Sequence, residues 1–121
     1  MNLNSIQSLA KKFTGIVQAI EDIEIVEKEA VRKLKCSLRL FDGTMLKVRE
    51  IWLQDKMLAY SYYWLRSDES LVIGWDNAPH HKSISTFPDH KHVGKQTEVS
   101  YETDLGQVLS YIQNFYYNSL K

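Results

Sequence analysis

Residues 31–53, VRKLKCSLRLFDGTMLKVREIWL, decide the fold. Leu34, Cys36, Leu38 and Leu40 alternate with Lys33, Lys35, Ser37 and Arg39. Successive side chains of a strand point to opposite faces, so this pattern predicts a strand with one apolar and one polar face. Asp42-Gly43 follows, a pair that supplies the positive-φ turn joining antiparallel neighbours. The return strand, residues 44–53, sets Leu46, Val48, Glu50 and Trp52 on one face. Glu50 is out of place there, a carboxylate in line with three apolar residues. Either it lies partly exposed near the sheet end, or it is turned towards a functional site to hold a histidine or a lysine.

Working outward from the hairpin, residues 57–66 predict a further strand, with Leu58, Tyr60, Tyr62 and Trp64 on one face. An aromatic stripe at period two is more often core packing than a base-stacking platform. The polar run 67–70 is a turn, and residues 71–75 return with Leu71, Ile73 and Trp75 together. Residues 97–101 predict a short edge strand. At the amino-terminal side, Ile6, Leu9, Ala10, Phe13, Ile16 and Val17 recur at helical spacing and predict a helix over 5–20, capped by Asn4 or Ser5. Gly15 weakens it by about 1 kcal/mol. The acidic stretch 21–29 predicts a strand or an irregular lead-in. At the other end, Leu105, Val108, Leu109, Ile112, Phe115 and Tyr116 predict a helix over 104–117, with Asp104 and Gln107 spaced as a capping box. The expectation is one α+β domain over 1–121: an antiparallel meander of about four to five strands packed with an N-terminal and a C-terminal helix on one face.

Bulk composition narrows the function classes. With 44% hydrophobic and 25% charged residues, the 121-residue chain has an ordinary globular balance and enough material for one core. Fifteen basic and fifteen acidic residues cancel, so no global field recruits nucleic acid or membrane. A local field is still available. Lys28, Arg32, Lys33, Lys35, Arg39, Lys47 and Arg49 outnumber Glu29 and Asp42 over residues 28–49, and several share one side of the hairpin. The solvated side of a sheet is the common reading of such a face, and phosphate binding the less common one. Cys36 is the one cysteine, in an apolar alternation, and reads as core with the reducing cytoplasm as the expected compartment. No apolar run reaches the ~18 residues of a membrane span, and the start lacks a signal-peptide core.

The chemistry-bearing residues collect in 75–94, WDNAPHHKSISTFPDHKHVG, which holds all four histidines and both prolines. Histidine titrates near working pH and is the commonest metal ligand. One reading is metal-free acid–base cleavage of RNA. It needs a base for the 2′-hydroxyl proton and an acid for the leaving 5′-oxygen, and two imidazoles can supply both. Candidates are His80, His81, His90 and His92. Lys91, Lys82 or Lys95 would stabilise phosphorane charge, Asp76 or Glu50 would orient an imidazole, and Asn77 would contact substrate. A second reading is a divalent metal such as zinc, held by His80, His90 and His92, with His81 or Asp76 as substitutes, driving hydrolysis. His90 and His92 are two apart, so on an extended segment they point the same way. A third reading is a surface loop on a non-enzymatic interaction module, its Asp and Asn serving as turn residues.

These residues resemble the TumE-like toxins of type II toxin–antitoxin modules. The resemblance rests on the block Asp76, Asn77, Ala78, Pro79, His80, His81 and the block Thr86, Phe87, Pro88, His90, Lys91, His92, with Asp42-Gly43 and Glu50 also similar, so it spans about residues 38–94. Gly74 departs from it, standing where an arginine is usual, and Asp89 stands where another histidine is common. The resemblance implies a small cytoplasmic toxin silenced by a cognate helix-turn-helix antitoxin. RNA is the expected substrate because toxins of this size commonly act on it, and a homodimer is a further alternative. With no cofactor, the expected activity is that of a ribonuclease.

Overall fold

The hairpin forms where its alternation predicts it. In the computed structural model, which describes residues 2–120, β2 (Val31–Leu40) pairs antiparallel with β3 (Met45–Leu53) in continuous register from Val31↔Leu53 to Arg39↔Met45. Gly43 takes φ +87° in the turn, the left-handed region that glycine enters without a Cβ clash. Leu34, Cys36, Leu38, Leu40, Leu46 and Val48 are all buried.

The remaining strands extend this pair on both sides. In chain order they are β1 (Val17–Lys28), β4 (Lys56–Leu65), β5 (Leu71–Asp76), β6 (His90–Val93) and β7 (Gln96–Val99), and the sheet order is sequential from β1 to β7. All neighbours are antiparallel. The sheet therefore has seven strands, not four to five. One addition is β1, which takes up residues 17–20 of the predicted helix and continues through the acidic stretch 21–29 as far as Lys28, there a strand and not an irregular lead-in. The other is β6, whose sequence His-Lys-His-Val carries no apolar alternation to announce it.

The first helix, α1, spans Leu3–Lys12 and stops well short of residue 20. Its cap is Asn2, whose side chain accepts from the Ser5 N–H at 2.9 Å. Ile16 and Val17 continue the helical spacing but are claimed by the sheet: Phe41 N–H donates to the Ile16 carbonyl at 2.9 Å, and Val17 pairs with Leu40. Long-range pairing has overridden local periodicity there. The second helix, α2 (Leu105–Ser119), begins at Asp104 as predicted, and the Asp104 carboxylate accepts from Gln107 N–H at 2.8 Å. The reciprocal half of the box is displaced by one residue, since Gln107 Oε1 accepts from Thr103 N–H.

Both helices lie on one sheet face. Trp64 meets Phe115 and Tyr116 edge-on, and Trp75 meets Tyr111 with ring centroids 5.4 Å apart. Val108, Leu109 and Ile112 are wholly buried against that face. Burying such side chains contributes roughly 1.5–3 kcal/mol each, so this layer is the main source of stability. The opposite face of the sheet is open, and the histidines lie there.

Candidate functional site

Strand alternation sorts the site residues. Asp76 pairs with His90 and Gly74 with His92, which puts Asp76, His90 and His92 on the open face. Trp75 and Lys91, also paired, point the other way. Lys91 Nζ lies 3.2 Å from Glu102 Oε1 and over the Tyr111 ring, 4.6 Å from its centroid. The expected charge-stabilising lysine is thus on the helix side of the sheet, away from the histidines.

Asp76 is the hub of the cluster. Its Oδ1 accepts from Ala78 N–H at 3.0 Å and faces His90 Nε2 at 2.9 Å. Its Oδ2 faces His92 Nε2 at 3.3 Å and accepts from the Tyr63 hydroxyl at 3.3 Å. Burial, together with the Asp76 carboxylate beside it, pushes the Tyr63 phenol up, so it stays a donor. His90 is 2% exposed, and its Nδ1 lies 2.9 Å from the Pro88 carbonyl. Both ring nitrogens of His90 therefore face oxygen acceptors. His92 is more open, with Nδ1 3.4 Å from Thr97 Oγ1. His81 packs edge-on against both rings, its centroid 4.7 Å from His90 and 5.7 Å from His92.

Together these groups line a cleft of about 400 Å³, walled by Ala59, Ser61 and Tyr63 of β4 and reached by His80 from its rim. Asn77 lines it too but is tied to the backbone: it accepts from Tyr60 N–H at 3.0 Å and donates to the Leu58 carbonyl at 3.2 Å. Residues 77–89 wrap this end of the sheet, and the Phe87–Pro88 bond is cis. The segment is pinned by the Tyr60 hydroxyl, which donates to Asp89 Oδ1 at 2.7 Å, and by Thr86 Oγ1, which accepts from Ser100 N–H at 3.1 Å. Asp89, standing where the resemblance leads one to expect histidine, thus anchors the loop. Lys82 is exposed on it and Lys95 is exposed in the β6–β7 turn, and neither lines the cleft.

Glu50 is neither partly exposed nor turned to the histidines. It is 1% exposed and accepts from Tyr62 Oη at 2.5 Å and Trp52 Nε1 at 2.9 Å. Burial and this carboxylate push the Tyr62 phenol far up, which keeps it protonated and donating. Gly74 lies beneath Tyr63, where a Cβ would come within 2.5 Å of Tyr63 Cδ1. Any side chain there, an arginine included, would displace Tyr63 from Asp76.

Among the described residues, His81, His90 and His92 present nitrogens that all lie within 4.8 Å of one another. The expected trio had His80 in place of His81. Tetrahedral zinc with bonds of about 2.0–2.1 Å sets its donors about 3.3 Å apart, so the rings would have to close in, and His90 would have to release Asp76 or Pro88. The cleft residues that the sequence left unremarked are Ala59, Ser61 and Tyr63. Ser61 and Tyr63 occupy the alternate face of the aromatic strand, which period two makes readable once the cleft is assigned to that face.

A seven-stranded antiparallel sheet with helices on one face and an Asp-His-His cluster on the other defines a small α+β protein with a polar, histidine-lined cleft. The family model described as Toxin TumE matches residues 7–116, and the chain belongs to that family. It is accordingly a toxin of a toxin–antitoxin module, which implies an antitoxin partner. No curated protein and no solved structure matches it. No helix among the described residues is long and apolar enough to cross a membrane.

Proposed function

We propose that this toxin is a metal-free ribonuclease that cleaves RNA through the 2′-hydroxyl. The observation that carries the reading is the Asp76-centred cluster, in which one carboxylate faces two imidazoles and a third imidazole, His81, stands open against them. His81 and His92 are the acid–base pair, because all three rings line the cleft but only these two are partly exposed, His90 being 2% exposed. One takes the 2′-hydroxyl proton as that oxygen attacks phosphorus. The other gives a proton to the departing 5′-oxygen, leaving a 2′,3′-cyclic phosphate. Asp76 and His90 are positioning residues: the carboxylate fixes the His92 ring, and His90 braces the carboxylate from its far side. His80, at the rim, meets the substrate as it enters.

The test is cleavage of a defined RNA by purified protein with excess chelator present. The expected result is cyclic phosphate ends, no action on an all-DNA strand, and loss of on the order of a hundredfold or more in rate for His81→Ala or His92→Ala. Cleavage of DNA would overturn the mechanism, as would full activity in both variants. The proximity of His81, His90 and His92 supports a second reading, a metal-dependent hydrolase. That reading expects activity to vanish with chelator and return with zinc.

A further inference from the structure

We propose that Lys35, Lys47 and Arg49 form a phosphate-binding track that leads single-stranded RNA across the open sheet face into the histidine cleft. The proposal rests on the ribonuclease reading for the identity of its ligand, but on different residues for its geometry. Register places the residues in line. Lys35 pairs with Arg49, Arg49 with Ser61, Ser61 with Asp76 and Asp76 with His90, so one transverse row runs from the cations to the site. The adjacent row runs from Lys47 through Tyr63 and Gly74 to His92. Strands lie about 4.8 Å apart, which puts Arg49 about 14 Å and Lys35 about 19 Å from His90 along the row.

The surface over these rows is a groove. A cavity of about 470 Å³ is lined by Lys35, Lys47 and Arg49. A smaller one of about 160 Å³ shares Arg49 with it and shares Ala59 and Ser61 with the histidine cleft. Among the described residues, none of Lys35, Lys47 and Arg49 is in an ion pair, whereas the nearby Arg39 is held by Glu21. Lys35 and Arg49 are exposed and Lys47 is half-buried. Among the described residues, the acidic groups along the rows are Asp22, which lines the outer cavity, Glu24, which pairs with Lys35 in register, Glu21, which lies in the Lys47 row and is held by Arg39, and Asp76, which faces His90 and His92 at the site end. Three cations outside ion pairs, lining adjoining hollows, attract a polyanion. The groove opens into the histidines, which favours the substrate strand over an acidic segment of a protein partner, since the latter has no need to reach them.

The experiment measures binding of a short fluorescein-labelled 2′-O-methyl-oligouridine, which cannot be cleaved through its 2′ position, as a function of salt. The full chain is compared with the triple variant Lys35→Ala/Lys47→Ala/Arg49→Ala and with His92→Ala. Each phosphate contact contributes about 0.7 to the log–log salt slope for a single strand, so the triple variant is expected to flatten it by about 2 and to weaken binding at low salt by tenfold or more. His92→Ala is expected to keep the slope. With cleavable RNA, the triple variant raises KM and leaves kcat unchanged. An unchanged slope in the triple variant overturns the track, even if the histidine variants abolish cleavage. Track-dependent binding without any cleavage by the wild type would instead overturn the ribonuclease reading and leave the track standing. Binding of poly-glutamate that the triple variant loses, with RNA binding unaltered, would assign the groove to an acidic protein segment and overturn the proposal.

Discussion

A carboxylate that is 1% exposed must meet donors, and Glu50 meets two. Glu50→Ala is expected to lower stability by about 2–4 kcal/mol, because it leaves a void and strands the Tyr62 hydroxyl. Glu50→Gln keeps the shape and is expected to lose about 1 kcal/mol, read as a shift in urea midpoint. RNA cleavage by the folded glutamine variant should match the wild type, and a selective loss of cleavage would return Glu50 to the site. Cys36 makes a parallel case. It is 2% exposed, and burial pushes its thiol up to about 11, with Glu50 adding to the effect. A thiol reagent at neutral pH should label it only as fast as the chain unfolds, and rapid labelling of the native protein would contradict its place in the core. Both positions were visible in the sequence as members of an apolar alternation. Only Cys36 was assigned correctly, since period two gives the face of a residue but not its partners.

At the scale of elements, the β2–β3 turn is tied to α2 by Asp42, which accepts from the Tyr116 hydroxyl and from Thr44. Burial pushes the Asp42 carboxyl up, but these hydrogen bonds outweigh it and hold it below its ordinary 3.8. Burial and the same carboxylate push Tyr116 up to about 12. A lowered folded pKa contributes stability that is present above the unfolded value and fades as pH falls through the folded one; a raised one contributes stability that is full below the unfolded value and fades as pH climbs from there through the folded one. Tyr116→Phe should therefore be less stable than wild type at neutral pH. The gap should narrow below about pH 4, and also between about pH 10 and about pH 12. A gap constant across both windows in urea titrations would count against the coupling. Gly74 belongs to the same scale, since it lets β4 and β5 pack Tyr63 over the site. Gly74→Ala should push Tyr63 off Asp76 and slow cleavage, while Tyr63→Phe keeps the ring and isolates the hydrogen bond. If Gly74→Ala cleaves RNA at the wild-type rate, the Tyr63 contact has no bearing on the chemistry.

The whole molecule divides one sheet into two faces with separate duties, and much of that division was legible. The β2–β3 hairpin, the aromatic strand and the C-terminal helix follow from alternation and helical spacing. Even the position of Lys91 was derivable, because the alternation that brings His90 and His92 together sends the residue between them away. What stayed hidden needed contacts distant in sequence. The pairing of β1 with β2 shortened the first helix, β6 forms on the support of β5 and β7, and the choice of His81 over His80 lies in an irregular loop where no period applies. The division also makes a claim about energetics. Trp75 and Asp76 are neighbours in the chain, yet Trp75 is wholly buried under α2 while Asp76 faces the cleft. Trp75→Ala is expected to lower stability by about 3–5 kcal/mol, a large share of the roughly 5–15 kcal/mol available to a domain. His81→Ala and His92→Ala, on the open face, should stay within about 0.5 kcal/mol of the wild type in urea unfolding while abolishing cleavage. If the two histidine variants instead unfold as readily as Trp75→Ala, the cluster is holding the fold together, and its loss of activity could no longer be read as chemistry.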